Sequence, residues 1–241
     1  MTLLAAVAIL AAMIASVAGF GIGSLLTPAL AIQTGMGVAV AAVSLPHFVA
    51  TVVRAWRLRD EIDWSFLRTF GVTSAVGSLA GAGIAAIWGA SWLGFILGGL
   101  MLFVGSMGLL GLTSKFVLPE KWTLLGGLVS GVFGGLVGNQ GGVRSAAMLG
   151  SDLKKEAFVA TATATGVIVD LARLPVYLAV YARELPALWR EIGVMTVGVV
   201  IGTFLGVPVL KRIPEATFRK VVSGIILFIG LFVLYRHVSS A

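Results

Sequence analysis

Apolar residues occupy this chain in eight long blocks, at about residues 3–32, 38–53, 66–88, 92–112, 122–149, 157–181, 192–210 and 218–235. Charged residues gather between them, in RAWRLRDEID, SKFVLPEK, SDLKKE, ARELPALWRE and KRIPEATFRK. A helix needs about 20 residues to cross a bilayer, and six of the blocks suit one crossing each, with frayed ends and tilt. The pattern predicts an all-α polytopic membrane protein.

Blocks 1 and 5 are too long for that scheme. Each runs to about 30 residues, roughly 45 Å of helix, against a hydrocarbon core of about 30 Å. Each also carries a glycine cluster in its second third, GFGIG at 19–23 and GNQGG at 138–142. Glycine tolerates conformations that end a helix, and broken backbone at membrane depth survives only when buried in protein or lining a cavity. Two topologies remain open. One has eight plain tilted helices. The other has three crossings per half, with blocks 1 and 5 folded as re-entrant hairpins. The second places the basic loops 54–68 (Arg54, Arg57, Arg59, Arg68) and 211–220 (Lys211, Arg212, Arg219, Lys220) on one cytoplasmic face, in line with the positive-inside bias. It also makes the two halves inverted.

The halves match each other. Sliding the chain by 119 positions lays AGFGIGSLLTPAL on VGNQGGVRSAAML, so that Gly19 meets Gly138, Gly23 meets Gly142 and Leu30 meets Leu149. The same offset lays Arg54 on Arg173 and Ser44 on Thr163, and an offset of 125 lays LMLFVG on IILFIG. The order and near-constancy of these matches predict two homologous membrane repeats, 1–115 and 116–241, forming one transport unit. Internal symmetry of this kind is common in secondary transporters.

Composition sharpens the class. Of 241 residues, 59% are hydrophobic and 11% charged, where soluble domains carry about 25% charged residues; the mean hydropathy is +1.06. The apolar blocks recur from end to end, so no separate soluble domain is expected. Block 1 has no small-residue cleavage site followed by a polar region, and reads as retained structure rather than a removed signal peptide. The formal charge of +7 bears on topology and on anionic lipids or solutes; no basic run is long enough for nucleic acid. With no cysteine and two histidines, disulfides and thiolate sites are excluded and no metal site or cofactor is expected. The absence of a P-loop argues against ATP-driven pumping.

The stretch GNQGGVRSAAML holds the candidate chemistry, because a bilayer charges several kcal/mol for a buried arginine. The second half of a helix broken at glycines begins with free N–H groups and the positive end of a dipole, which attract anions. Two such ends, one from each half, could meet near the midplane. Gly21, Gly23 and Ser24 from the first break, and Asn139, Gln140, Gly141 and Gly142 from the second, are the candidate substrate contacts. The alternative is that these glycines only permit close helix packing, which is the expected role of Gly77, Gly81, Gly202 and Gly206.

Arg144 falls where the first half has Leu25, so the repeat does not require it for folding. Its guanidinium matches a small oxyanion through paired bonds, or else it snorkels toward Lys154 and water. Arg173 lies three residues after Asp170 on one helix face, and either the two neutralise each other or Asp170 carries a coupling proton; Arg173 is also a candidate substrate contact. His47 is a second candidate proton carrier, or a packing residue. Arg54 is expected to snorkel to the cytoplasmic interface and to matter little for affinity. Pro46 and Pro175 are candidate kinks.

GFGIGSLLTPAL and GNQGGVRSAAML resemble the two signature copies of the TauE/SafE sulfite exporter family, in glycine-rich runs, duplicated four-segment halves, short loops and length. The resemblance implies an exporter of sulfite, sulfonates or other small organic anions in the inner membrane. This chain departs from the pattern at Ile22, where a third consecutive glycine is common, at Ala147, opposite Pro28 of the first copy, and at Gln140, which interrupts the glycine run.

The expected function is therefore a secondary transporter, multi-pass in the cell inner membrane, moving a small anionic substrate outward by alternating access. A passive anion channel is the competing reading, since broken helices and a basic filter serve it equally well. An intramembrane enzyme fails on its inventory: no cysteine, no histidine–carboxylate cluster and no deep aspartate pair. Membrane lipids and, as one option, a second copy in a homodimer are the other expected partners.

Overall fold

The computed structural model describes residues 1–88, 93–111, 120–137, 140–148 and 151–239. Among these, regular structure is helical throughout, with no strand. The order is α1 (Thr2–Ala18), α2 (Ile22–Thr34), α3 (Met36–Arg57), α4 (Trp64–Phe66), a π-helical stretch (Leu67–Gly71), α5 (Val72–Trp88), α6 (Leu93–Leu109), α7 (Glu120–Val137), α8 (Gln140–Met148), α9 (Lys155–Val180), α10 (Trp189–Arg212) and α11 (Glu215–Ser239). Spans 37–57, 155–180 and 185–212 are long and apolar enough to cross a membrane. With the family membership reported below, this makes the chain an all-α membrane protein.

Helices α3, α10 and α11 outrun their apolar blocks at both ends by about a turn, because charged residues are recruited into their ends. Arg54 and Arg57 close α3, and Lys211 and Arg212 close α10, where cations complement the negative end of the helix dipole. Pro46 and Pro175 lie inside α3 and α9 without interrupting either helix.

Block 1 breaks at its glycines. Gly19 takes φ 83° and caps α1, its N–H bonding Ala15 O, and Gly21 takes φ 136°. Both values lie where a side chain is strained. A Cβ at Gly21 would press on Ile14 and lie against the backbone of Ala11 and Ala15, so the chain turns back onto α1. Ile22, Leu26 and Leu30 of α2 then share one apolar cluster with Ala8, Ala11, Ala12 and Ala15 of α1 and with Ala39, Ala41 and Ala42 of α3. In block 5, α7 ends at Val137 and α8 begins at Gln140; Gly138 and Asn139 lie outside the described residues.

The most extensive helix contacts are α5 with α7, α1 with α10 and α6 with α11. Glycine makes them. A Cβ on Gly77, Gly81, Gly131 or Gly135 would overlap Leu128 O, Val132 O, Ser74 O or Ser78 O of the facing helix, so α5 and α7 run parallel with backbones touching. Gly198, Gly202 and Gly206 meet Ala5, Ile9 and Met13 in rising order, and α10 lies parallel to α1 in the same way. By contrast, Gly98 faces Leu234 while Gly105 faces Leu227, so α6 and α11 are antiparallel. In lipid, where apolar surface gives helices no net drive to associate, such backbone approach supplies the packing. The packing role expected of Gly77, Gly81, Gly202 and Gly206 is the one they have.

Gly131→Ala should therefore cost about 1–3 kcal/mol of stability, the usual range for overpacking. Gly83→Ala, with nothing within 4 Å of the new Cβ, should cost none. Thermal unfolding of the two variants in detergent checks this; equal midpoints would mean that the α5–α7 contact relaxes freely.

Candidate functional site

Two polar stripes face each other across α3 and α9. On α3 they are His47, Thr51 and Arg54, spaced four and three residues apart; on α9 they are Thr163, Gly166, Asp170 and Arg173, spaced three, four and three. Either spacing keeps its members on one side of a helix. His47 Nδ1 lies 2.6 Å from Asp170 Oδ2, Thr51 Oγ1 lies 3.5 Å from the same oxygen, and Arg54 Nε donates to Thr163 Oγ1 at 3.0 Å. Rising numbers on α3 meet falling numbers on α9, so the two helices are antiparallel.

Asp170 is the hub of one end of the seam. It is fully buried, and Arg173 clasps it through Nε at 3.0 Å and Nη2 at 2.8 Å. Arg173 Nη1 donates to Gly134 O at 3.1 Å, so each guanidinium nitrogen of Arg173 has an acceptor. Tyr177 Oη donates to the neighbouring Gly135 O at 2.9 Å.

The other end is differently satisfied. Arg144, on α8 and 1% exposed, donates from Nη2 to Gly19 O at 3.2 Å. Its Nε and Nη1 are buried and have no hydrogen-bond partner, and neither does Arg54 Nη1. Where Gly166 stands, a Cβ would lie 3.2 Å from Arg144 Nη1 and 3.4 Å from Thr51 Cγ2. The glycine thus lets the guanidinium lie on the α9 backbone. Gly141 closes the arrangement from the other side: a Cβ there would overlap Phe20, inside the first break. Gly19 in turn packs on Val159 and Ala162 of α9. The two broken segments touch at the seam.

Three buried arginines and one buried carboxylate leave an excess of two positive charges when His47 is neutral. Isolated buried charge is expensive, and the unpartnered nitrogens of Arg144 and Arg54 are where this excess is least satisfied. The open groove of about 620 Å³ along α1 and α10 has a mostly apolar lining that includes Met1, Ile9, Trp189 and Val197, with none of the seam's polar residues in its wall; it does not define the site.

Gly21, Gly23 and Ser24 sit at the entry of α2, and Gln140, Gly141 and Gly142 open α8. Asn139 lies outside the described residues. Arg144 does not snorkel toward Lys154, because it is held at Gly19. One expectation is overturned: Arg54 is not interfacial but 1% exposed and bonded to Thr163. The aqueous end of α3 is supplied instead by Arg57 and Arg59, and Arg54 shares the face that carries His47 and Thr51. The His47–Asp170 pair and the roles of Thr51, Thr163 and Gly166 were missed. Their signal was the matched three- and four-residue spacing on two separate helices, which shows only when the helices are laid side by side. Among the described residues no group of three His, Asp or Glu could hold a metal ion.

No curated protein and no solved structure matches the chain. The family comparison does: the sulfite exporter TauE/SafE family matches residues 4–233. With nearly the whole length covered, the chain belongs to the TauE/SafE sulfite exporter family of membrane transporters.

Proposed function

We propose that the chain is a secondary transporter that carries a small organic or sulfur-containing anion (sulfite, a sulfonate or a carboxylate) outward across the cell inner membrane, by alternating access around the point where the two glycine breaks meet. One observation carries the reading: Arg144, 1% exposed, stands between the breaks with Nε and Nη1 unpartnered. A guanidinium buried with its donors open is shaped for an anion that arrives and leaves. His47 and Asp170, on the same seam, are the coupling pair.

The inverted-repeat reading draws support from helix directions. The corresponding helices α3 and α9 cross antiparallel, as do α6 and α11. The α1–α10 contact has its counterpart in α7–α5, parallel in both cases. Halves 1–115 and 116–241 related by an in-plane twofold would give this set of directions. The charged loops support one cytoplasmic face, for both reach the start of α9: Asp63 N donates to Thr161 Oγ1 at 2.9 Å, and Lys155 Nζ to Ile213 O at 2.5 Å.

The anion site is tested at Arg144. Arg144→Ala should lower affinity by about 2–5 kcal/mol, the range for a desolvated charged contact, with the protein still folded; Arg144→Lys keeps the charge, loses the planar fork and should bind more weakly than wild type but better than alanine. A panel of sulfite, sulfonates and carboxylates in a thermal-shift assay reads the change, since a ligand bound only by the folded state raises apparent stability. Wild-type affinity in Arg144→Ala would make the arginine an anchor.

Coupling is tested at Asp170. In proteoliposomes Asp170→Asn should keep anion binding and lose flux driven by a proton gradient. Normal pH-driven flux in this variant would remove Asp170 from coupling, and flux that never saturates would favour a channel.

Topology is tested with cysteines in this naturally cysteine-free chain. Arg59→Cys and Lys211→Cys should label with an impermeant maleimide from the same side of the membrane. Labelling from opposite sides would exclude the hairpin arrangement.

A further inference from the structure

We propose that Arg54 and Arg144 form one chelating pair, and that its ligand is a doubly charged oxyanion rather than a singly charged sulfonate or carboxylate. The proposal rests on the anion-site reading above and narrows it.

The pairing follows from where the two guanidinia touch α9. Arg54 is fixed at Thr163 and Arg144 lies over Gly166. These positions are three residues apart, about 4.5 Å along a helix axis, and on one face. Among the described residues neither guanidinium is hydrogen-bonded to a carboxylate: Arg54 is held by the Thr163 hydroxyl and Arg144 by the Gly19 carbonyl. Between them the pair leaves three buried nitrogens open: Nη1 of Arg54, and Nε and Nη1 of Arg144. An oxyanion with two or more oxygens can take donors from both guanidinia at once, in the paired geometry that guanidinium favours.

The charge requirement comes from the contrast with Arg173. By the repeat offset Arg173 is the counterpart of Arg54, yet only Arg173 has a carboxylate on its own helix face, since Asp170 stands where α3 has Thr51. Asp170 neutralises Arg173 by a two-nitrogen clasp. Among the described residues Arg54 is bonded to a hydroxyl and Arg144 to a carbonyl, neither of them charged. Two uncompensated positive charges therefore face one ligand position. A singly charged anion leaves one of them bare in a low-dielectric interior; a dianion balances both.

The experiment measures binding of sulfite, sulfate and methanesulfonate to the purified full chain in mildly alkaline buffer, where sulfite is doubly charged. Methanesulfonate offers three sulfur-bound oxygens with one charge, so it isolates charge from shape. Wild-type protein should bind at least one of the dianions tighter than methanesulfonate by about tenfold or more. Arg54→Gln should lose about 30-fold or more of dianion affinity while methanesulfonate binding changes little, so that the preference collapses. Arg54→Lys, which keeps the charge, should retain the preference. Gel filtration and the unfolding midpoint establish that each variant is folded; if the glutamine variant is not, wild type and the lysine variant decide. Equal affinity of wild type for methanesulfonate and both dianions would overturn the dianion assignment. An equal loss of both anion classes in a folded Arg54→Gln would make Arg54 a scaffold residue and overturn the pair. Both of those results leave the anion site itself standing; no shift with any of the three ligands would overturn the dianion assignment, and no shift with carboxylates added to the panel would remove the anion reading as well.

Discussion

Three guanidinium groups share a single carboxylate in the interior of this bundle. An arginine at the centre of a bilayer costs about 2.5–3.5 kcal/mol on insertion scales and more on an isolated helix. The whole stability of a domain is about 5–15 kcal/mol. Two uncompensated arginines are thus a large fraction of what holds such a protein together, and the surrounding chain is arranged to lower that burden. Thr163 takes one N–H of Arg54. Gly19, its carbonyl released by the break in α1, takes one of Arg144. Gly166 removes the side chain that would stand between Arg144 and α9. The glycine breaks therefore have two consequences: they end helices, and they put backbone polar groups where a charge needs them.

Packing elsewhere serves the same end. The pairs α1–α10 and α5–α7 are closed by glycines set against carbonyls, which makes each pair a stiff unit with little side-chain volume between its backbones. These units flank the α3–α9 seam, each contacting it from one side through α10 with α3 and α5 with α9. On the proposed alternating-access reading, the α3–α9 seam would be exposed by rocking these pairs, and the small residues at their contacts would set which parts move as blocks.

Much of this was legible in the sequence, and the limits are instructive. The excess length of blocks 1 and 5, with their glycine clusters, was enough to locate the break between α1 and α2 at Gly19–Gly21, since only glycine accepts φ of 83° and 136°. The spacing of Asp170 and Arg173 gave their pairing, because three residues on a helix is a local relation. Arg54 was misread, because the position of a residue near a helix end does not say which face it shares. His47 was seen only as a lone histidine: its carboxylate partner lies 123 residues away, and a contact between helices leaves no trace in local spacing. Local chemistry could be read along the chain, whereas the seam required the crossing of α3 and α9.

The proposed repeat would account for the asymmetry of the seam. The 119-residue offset lays Thr51 on Asp170, and the two touch across the crossing, as corresponding residues would near a twofold axis. Had both positions been threonine, Arg54 and Arg173 would both be uncompensated. Had both been aspartate, the excess of two positive charges would fall to one, and Arg54 would have a carboxylate of its own. One carboxylate leaves the α9 side neutral and the α3 side positive. It also places the His47–Asp170 pair in contact with the arginine system, so the proposed proton and anion sites share one field. On that proposal, a difference at one position between two similarly patterned helices is sufficient to set a neutral side of the seam against a positive one.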